Sequence, residues 1–280
     1  MAVTRIALFA VALTATFAGA FVLGGTVDPD AGDDSAHDAA ESHDGIEAGE
    51  PARIVVEDRT LSPAGGELAF RVVDGDGATI RDFDVEHERA MHLIAVRRDL
   101  TGYRHLHPRQ RSDGAWEVSV EAGQAGPHRL YADFSSGGEP YTLTADVAVA
   151  GEYRPQPLPA PSLAADAGEG YVVEVARDGS ERRFTVTRDG RPVDDLEPYL
   201  GARGHLVAIR EGSLDFLHVH PEDAATEGRA IRFAVTYRRG GPHRLFLQFR
   251  HRGEVHTAAF TETVTSAGEG DHEEGGAHGH

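Results

Sequence analysis

Four histidines recur in the same order in two parts of this chain, with a spacing that suits a metal site. The first three members of each set lie 113 positions from their counterparts, and the fourth members lie 115 apart. Because neutral imidazole binds both Cu²⁺ and Zn²⁺, the sets predict a copper or zinc ion as cofactor. The candidate ligands are His92, His105, His107, His128, His205, His218, His220 and His243.

Strand geometry places the central pair of each set on one face. Side chains alternate along a strand, so His105 and His107 point the same way. The expected hairpin pairs Ile94 with His107 and sets His92 beside them, whereas a shift of one residue would move His92 to the other face. Three imidazoles leave one coordination position open. His128, from a neighbouring strand, is then a fourth ligand or a group that orients the other three.

Short alternating runs separated by Gly and Asp turns predict the elements that position these histidines. The runs lie at 68–73, 92–96, 116–120 and 129–134, and again at 183–186, 205–209, 231–235 and 244–249. Regularly spaced short strands of this kind indicate β-sandwiches. The predicted fold class is all-β, with two tandem sandwich domains at 51–150 and 169–266 and a Pro-rich linker at 151–168.

The first residues of the chain indicate export. Arg5 precedes a long apolar run, so residues 1–26 are expected to act as a signal peptide or a membrane anchor. This orientation predicts an extracytoplasmic protein, either secreted or anchored to the cell membrane by this segment. Residues 27–50 are acidic, and residues 267–280 are rich in His, Glu and Gly, so both are predicted to be disordered. The mobile tail histidines are expected to capture ions weakly.

Composition excludes several classes of function. The formal net charge is -19, which argues against a nucleic-acid partner because phosphate binding needs basic surfaces. The chain has no Cys, so a disulfide framework, a thiolate zinc site and a blue-copper site are excluded. Membrane contact is expected only through the N-terminal segment. The second half has two additional histidines, His251 and His256, which we interpret as surface variation.

The motifs resemble those of exported bacterial YtkA-like and FixH-like domains. They are the stretches 91–100, 103–108 and 126–134 in the first copy, and 200–209 and 218–221 in the second. Together they cover most of residues 53–265, in the doubled arrangement of actinobacterial secreted proteins. The resemblance implies an immunoglobulin-like sandwich and a non-enzymatic role, and some members of the family are associated with copper or heavy-metal handling.

Three functions remain open at this point. The leading hypothesis is an exported, non-enzymatic protein that binds a transition-metal ion through the repeated His-x-His clusters. The alternative is a structural or interaction module of the cell envelope, with a protein partner and purely structural histidines. A three-histidine metalloenzyme is less favoured, because no general base or other catalytic motif accompanies the histidines. If a metal binds, protonation of ordinary histidines should release it as the pH falls through about 6.5.

Overall fold

Every regular element in the described part of the chain is a β-strand, which confirms the all-β prediction. The structure, a computed structural model, describes residues 52–121, 123–219 and 230–265. The predictions for residues 1–26, 27–50 and 267–280 lie outside the described residues. Among residues 52–121, 123–219 and 230–265, no helix is long and apolar enough to cross a membrane.

Domain 1 is an immunoglobulin-like sandwich of two sheets. Its strands are β1 (Arg53–Val56), β2 (Thr60–Leu61), β3 (Gly65–Val73), β4 (His92–Arg97), β5 (Arg104–Leu106), β6 (Arg109–Gln110), β7 (Trp116–Glu121), β8 (Gly126–Ser136) and β9 (Glu139–Val149). One sheet has the order β1-β3-β7-β6 and the other the order β2-β9-β8-β4-β5. All pairs are antiparallel except β2 with β9.

Domain 2 repeats this architecture. Its strands are β10 (Ala164–Gly168), β11 (Tyr171–Asp178), β12 (Glu181–Arg188), β13 (Arg191–Pro192), β14 (His205–Arg210), β15 (Phe216–Val219), β16 (Ile231–Ala234), β17 (Gly241–His251) and β18 (Glu254–Val264). One sheet has the order β10-β11-β12-β13, with β16 paired to β12, and the other has the order β15-β14-β17-β18.

The core of each sandwich follows from strand alternation. On β3, Leu68, Phe70 and Val72 are buried on one face, and they pack against the inner face of the opposite sheet. In domain 2, Phe184 and Phe260 pack against each other in the core, with their ring centroids 5.5 Å apart. Burying one such side chain contributes about 1.5–3 kcal/mol, so the alternating runs stabilise the domains as well as setting the register.

All eight alternating runs lie wholly or almost wholly in strands, so the expected elements are confirmed. One boundary differs, because β10 lies inside the stretch assigned to the linker. Its residues are small and half-exposed, with no β-branched pattern, and they become a strand by pairing with β11. The preceding linker contacts domain 1, where the backbone N–H of Gln156 donates to Asp99 at 2.8 Å. Leu158 packs at the edge of the contact between the domains.

The two domains face each other through equivalent sheets, those containing β4 and β14. Tyr103 of domain 1 stacks on Phe246 at 4.1 Å, and Tyr131 stacks on Phe216 at 4.5 Å between ring centroids. In the repeat, Tyr103 corresponds to Phe216 and Tyr131 corresponds to Phe246. The two contacts are therefore equivalent, and the interface has an approximate two-fold symmetry. The Tyr131 hydroxyl also donates to the carbonyl of Leu214 at 2.8 Å.

Two-sided packing explains the unusual burial of the central strands. All six residues of β4 are buried, and five of six in β14 are buried. Leu93 and Ala95 face the sandwich core, while Ile94 and Val96 face the other domain. His92 begins β4 and shares the face of Ile94, so the fold directs it into the interface between the domains.

Candidate metal centre

Histidines from both domains meet in this interface and form one cluster. His92 and His205, which begin the equivalent strands β4 and β14, stack with ring centroids 6.4 Å apart. His105 lies 5.2 Å from His92 and 6.1 Å from His205, and His218 lies 5.9 Å from His205. The two sets of histidines were expected to form a separate site in each domain, and the docking of the domains joins them.

The hairpin register differs from the expected one by two residues. Ile94 pairs with His105 rather than with His107, because the chain reverses about one residue earlier than expected. A shift of two residues keeps every side chain on its face. His92 therefore still shares a face with His105 and His107, and the ligand nitrogens of these three residues lie within 4.8 Å of one another.

The rings of His92 and His105 turn nitrogens toward each other. Nδ1 of His92 lies 3.0 Å from Nε2 of His105. The far nitrogen of His92 faces the carbonyl oxygen of Glu86 at 3.3 Å, and Nδ1 of His105 faces Oε1 of Gln248 at 2.8 Å. In the tautomer that places the proton on each far nitrogen, beside its oxygen acceptor, each near nitrogen of the neutral rings presents a lone pair.

This spacing suits two ligands of a single ion. Two nitrogens 3.0 Å apart that each lie about 2.0–2.1 Å from one metal subtend roughly 95° at it, an angle that four-coordinate sites accommodate. The third ring, His107, lies 4.7 Å from His105 between centroids, and its buried Nε2 has no hydrogen-bond partner. Three nitrogen ligands are thus available on the domain 1 side of the cluster.

Domain 2 repeats part of this arrangement. Nε2 of His205 faces the carbonyl of Leu200 at 3.4 Å, and its buried Nδ1 is unpartnered. Nδ1 of His218 lies 2.6 Å from the carboxylate of Asp133, which belongs to domain 1. Asp133 is the repeat equivalent of Gln248, so each domain supplies the group that orients a histidine of the other.

Threonines fix these two orienting groups in the same way. Thr142 donates to Asp133 at 2.6 Å, and the amide of Gln248 donates to Thr257 at 3.3 Å. Metal-binding histidines commonly have a carboxylate or amide oxygen behind the ring, which sets the tautomer and raises the basicity of the ligand nitrogen. Asp133 and Gln248 occupy equivalent positions in the two copies, but only the docking of the domains reveals their role.

Burial favours the uncharged form of four histidines of the cluster. Desolvation lowers the pKa of His92 and of His107 to about 4 and that of His205 to about 3, with repulsion from neighbouring imidazoles adding to the effect. It also brings the pKa of His105 well below its ordinary value. Asp133 is different: burial raises its pKa, but hydrogen bonds from His218 and Thr142, together with electrostatic attraction to His218 and His92, outweigh burial and hold the pKa of the carboxyl below its usual range. Neutral imidazole is the form that binds metal.

His87 also belongs to the cluster, although the repeat gave no sign of it. Its ring lies 5.6 Å from that of His205. It occupies a two-residue turn between Glu86 and Arg89, in which His87 and Glu88 both have positive φ, at 47° and 65°. Such turns favour Asn and Gly, and non-glycine residues in this region cost about 1–3 kcal/mol each. The fold thus tolerates strain where it presents His87.

His128 and His243 do not reach the cluster. On β8, Asp133 pairs with His92, whereas His128 pairs with Arg97. His128 is five residues from Asp133 along the strand, so its side chain lies on the opposite face. Five residues of strand span about 17 Å. Nδ1 of His128 is bonded to the carbonyl of Gly126 at 3.0 Å, and His243 makes the equivalent bond at 2.9 Å. These two histidines support the turn before the strand. His220 lies outside the described residues.

Two further histidines correct another expectation. His251 and His256 are buried rather than at a variable surface. Nδ1 of His251 bonds to the Tyr171 hydroxyl at 2.7 Å, and its Nε2 faces Asp195 at 3.1 Å. The rings of both histidines pack around Tyr171 inside domain 2.

A polar cleft connects the cluster with solvent. It has a volume of about 210 Å³, and Asp84, Glu86, His87, His92 and His218 are among the residues that line it. Its two carboxylates near His87, Asp84 and Glu86, attract cations, and Arg89 and Arg238 also line the cleft.

Comparison with solved structures gives only distant likenesses. A mutant of Salmonella alpha-2-macroglobulin is 15% identical over 81% of this chain, with a TM-score of 0.28, and the chain spans 16% of that protein. A chimeric titin Z1Z2 is 13% identical over 79% of this chain and 100% of its own, with a TM-score of 0.22. The tandem Ig repeats of Dlar are 8% identical over 77% of this chain and 98% of their own, with a TM-score of 0.21. No curated protein matches the chain.

One family matches the chain twice. The domain of unknown function DUF8832 matches residues 50–151 and residues 169–266, together more than half of the sequence. The doubled match agrees with the two sandwiches and with the internal repeat, and it carries no YtkA-like or FixH-like identity. The chain belongs to the family described as Domain of unknown function (DUF8832).

Proposed function

We propose that the protein binds a copper or zinc ion through His92, His105 and His107, in the interface between its two domains. The observation that carries this proposal is the 3.0 Å approach of two imidazole nitrogens whose far nitrogens both face oxygen acceptors. Lone pairs that face each other repel, and a cation bound to both removes that repulsion. The unpartnered Nε2 of His107 supplies a third ligand.

Purely structural histidines are a weaker explanation of the cluster. That explanation fits His128 and His243, whose rings bond to backbone carbonyls. In the cluster, however, nitrogens of His107 and His205 are buried without a partner. Leaving a buried polar group unsatisfied costs about 1–3 kcal/mol, and metal ligation would recover that loss.

The donor set supports a first-row transition metal. Imidazole nitrogens suit Cu²⁺ and Zn²⁺, and affinity for such sites rises toward copper. Ca²⁺ and Mg²⁺ prefer oxygen ligands, so the cluster disfavours them. Copper binds most tightly under this proposal, and zinc follows.

Two sandwich domains that bury side chains between them form a binding or interaction module. We extend the proposal to an extracytoplasmic, non-enzymatic protein, secreted or anchored by residues 1–26. The apolar run after Arg5 supports export. The resemblance to YtkA-like and FixH-like domains, some of which are associated with copper, supports the choice of metal.

A metal titration with matched variants tests the proposal. The protein is purified without an added tag, with the tail residues His272, His278 and His280 replaced by Ala to remove weak binding there. Copper and zinc are titrated separately, and bound metal is counted by elemental analysis. The test variant is His105→Ala/His107→Ala, and the control is His128→Ala, which removes a histidine outside the cluster.

We expect one tightly bound ion in the parent and in the His128→Ala control, and none in the double variant. Circular dichroism must show that all three proteins keep their β-structure. Equal metal content in the double variant and the parent would refute the site. A parent that binds no ion would refute metal binding at the cluster altogether.

A further inference from the structure

Domain 1 contains an apolar pocket that is separate from the histidine cluster. It has a volume of about 310 Å³ and lies between the two sheets at one end of the sandwich. Leu68 and Val120 line it from one sheet, and Ala95, Leu130 and Val147 line it from the other. Protein interiors are normally packed without such spaces, so a pocket of this size in a domain of about 100 residues calls for an explanation.

Domain 2 provides an internal comparison, because there the equivalent end is filled. Arg182 occupies the position of Leu68, and Glu262 occupies that of Val147, paired with His243 as Val147 is paired with His128. The Arg182 and Glu262 side chains are 7% and 6% exposed and form a bidentate ion pair, with bonds of 3.0 and 2.5 Å.

An aromatic ring completes the filling of domain 2. Tyr237 bonds to Glu262 at 3.3 Å, and its ring lies 4.5 Å from that of His243. In domain 1, none of the described residues that line the pocket is aromatic, and Leu68 and Val147 are too short to span the gap between the sheets. The same fold therefore has one closed end and one open, apolar end.

Polar side chains, among them Arg104 and Glu121, border the pocket. Arg104 lies there with its guanidinium 3.4 Å from Glu121, whose side chain is 88% exposed. An ion pair with so exposed a carboxylate is weak, and a guanidinium has five N–H donors, so Arg104 can also bind the carboxylate of a ligand. Gly66 and Gly102 also border the pocket, and a Cβ at either would meet no atom within 4 Å.

We propose that this pocket binds a linear aliphatic carboxylic acid, with the chain between the sheets and the carboxylate on Arg104. An engineered cavity of about 150 Å³ holds one benzene ring. The 310 Å³ pocket of domain 1 therefore accommodates roughly ten to twelve carbons. Apolar walls provide the affinity for the chain, and the arginine at the mouth sets its direction.

The direct test is calorimetric titration of decanoic acid into the full chain, purified without detergent. The Val147→Phe variant places a ring in the space that is filled in domain 2. A second variant, Gly123→Leu, narrows the mouth from another side; a Cβ there meets only Val149, at 3.8 Å. We expect one site in the parent and at least a tenfold loss of affinity in each variant that keeps the parent's circular dichroism spectrum.

The head group is tested with Arg104→Gln and with 1-decanol. Losing a charge-assisted bond should weaken decanoic acid about tenfold and leave 1-decanol almost unchanged. Failure of the parent to bind decanoic acid would overturn the proposal, and so would equal binding by the parent and both blocking variants. Binding to vesicles of a phospholipid with the same acyl chain is measured as well. A protein that binds these vesicles but not decanoic acid would also contradict the proposal. Metal content is measured in parallel, and its loss or retention does not affect this result.

Discussion

Replacing Gln248 by Leu should weaken metal binding at histidines that belong to the other domain. The amide oxygen accepts from Nδ1 of His105 at 2.8 Å, which leaves Nε2 of that ring available to the metal. With Leu, the proton moves to Nε2 or Nδ1–H stays buried without an acceptor, which costs about 1–3 kcal/mol. Loss of such an orienting group lowers metal affinity about 10- to 100-fold.

Gln248→Glu is the matched control for this prediction. It keeps an acceptor behind His105 and adds a negative charge, as Asp133 does behind His218. Affinity should then equal or exceed that of the parent. The assay is competition with a chromophoric chelator for copper or zinc at pH 7. Equal affinities of the Leu variant and the parent, with both proteins folded, would refute the idea that the domains complete each other's ligands.

Three other predictions concern stability. The pKa of His92 is about 4 in the folded protein and about 6.5 in the unfolded chain, so the unfolded state binds more protons between these pH values. The free energy of unfolding of the metal-free protein should therefore fall by about 3 kcal/mol through this residue as the pH falls from 6.5 to 4. Urea unfolding at a series of pH values measures this loss. Arg182→Leu should cost about 3–5 kcal/mol in thermal unfolding because it leaves the charge of Glu262 buried, Arg182→Leu/Glu262→Val should cost less, and equal losses would contradict this. Tyr131→Phe should cost about 1 kcal/mol, through its lost bond to Leu214.

The strands and the His-x-His face could be predicted because they depend on local rules. Alternation sets which side chains share a face, and a two-residue error in the hairpin left His92 beside His105 and His107. The position of β10 could not be predicted, since its residues carry no β-pattern and pairing with β11 makes them a strand. The repeat also identified equivalent positions correctly, including His92 and His205, which begin equivalent strands.

The union of the two histidine sets could not be predicted, because it depends on how the domains dock. One signal was available: residues 93–96 of β4, which we counted among the alternating runs, are all apolar, as in strands that are covered on both faces. His128 matched the repeat as well as His92 did, yet it faces the other way, since five residues of strand reverse the side. Burial also moves the expected release of metal from about pH 6.5 to near pH 4, since the pKa of His107 is lowered to about 4.

Anomalous diffraction from crystals of the copper- or zinc-loaded protein tests the central claim most directly. The expected result is one strong peak between the two domains, within about 2.0–2.2 Å of Nδ1 of His92, Nε2 of His105 and a nitrogen of His107. Both orienting contacts, from Gln248 and Asp133, should persist in that structure. An ion bound elsewhere, or a cluster without a peak at full metal loading, would contradict the account.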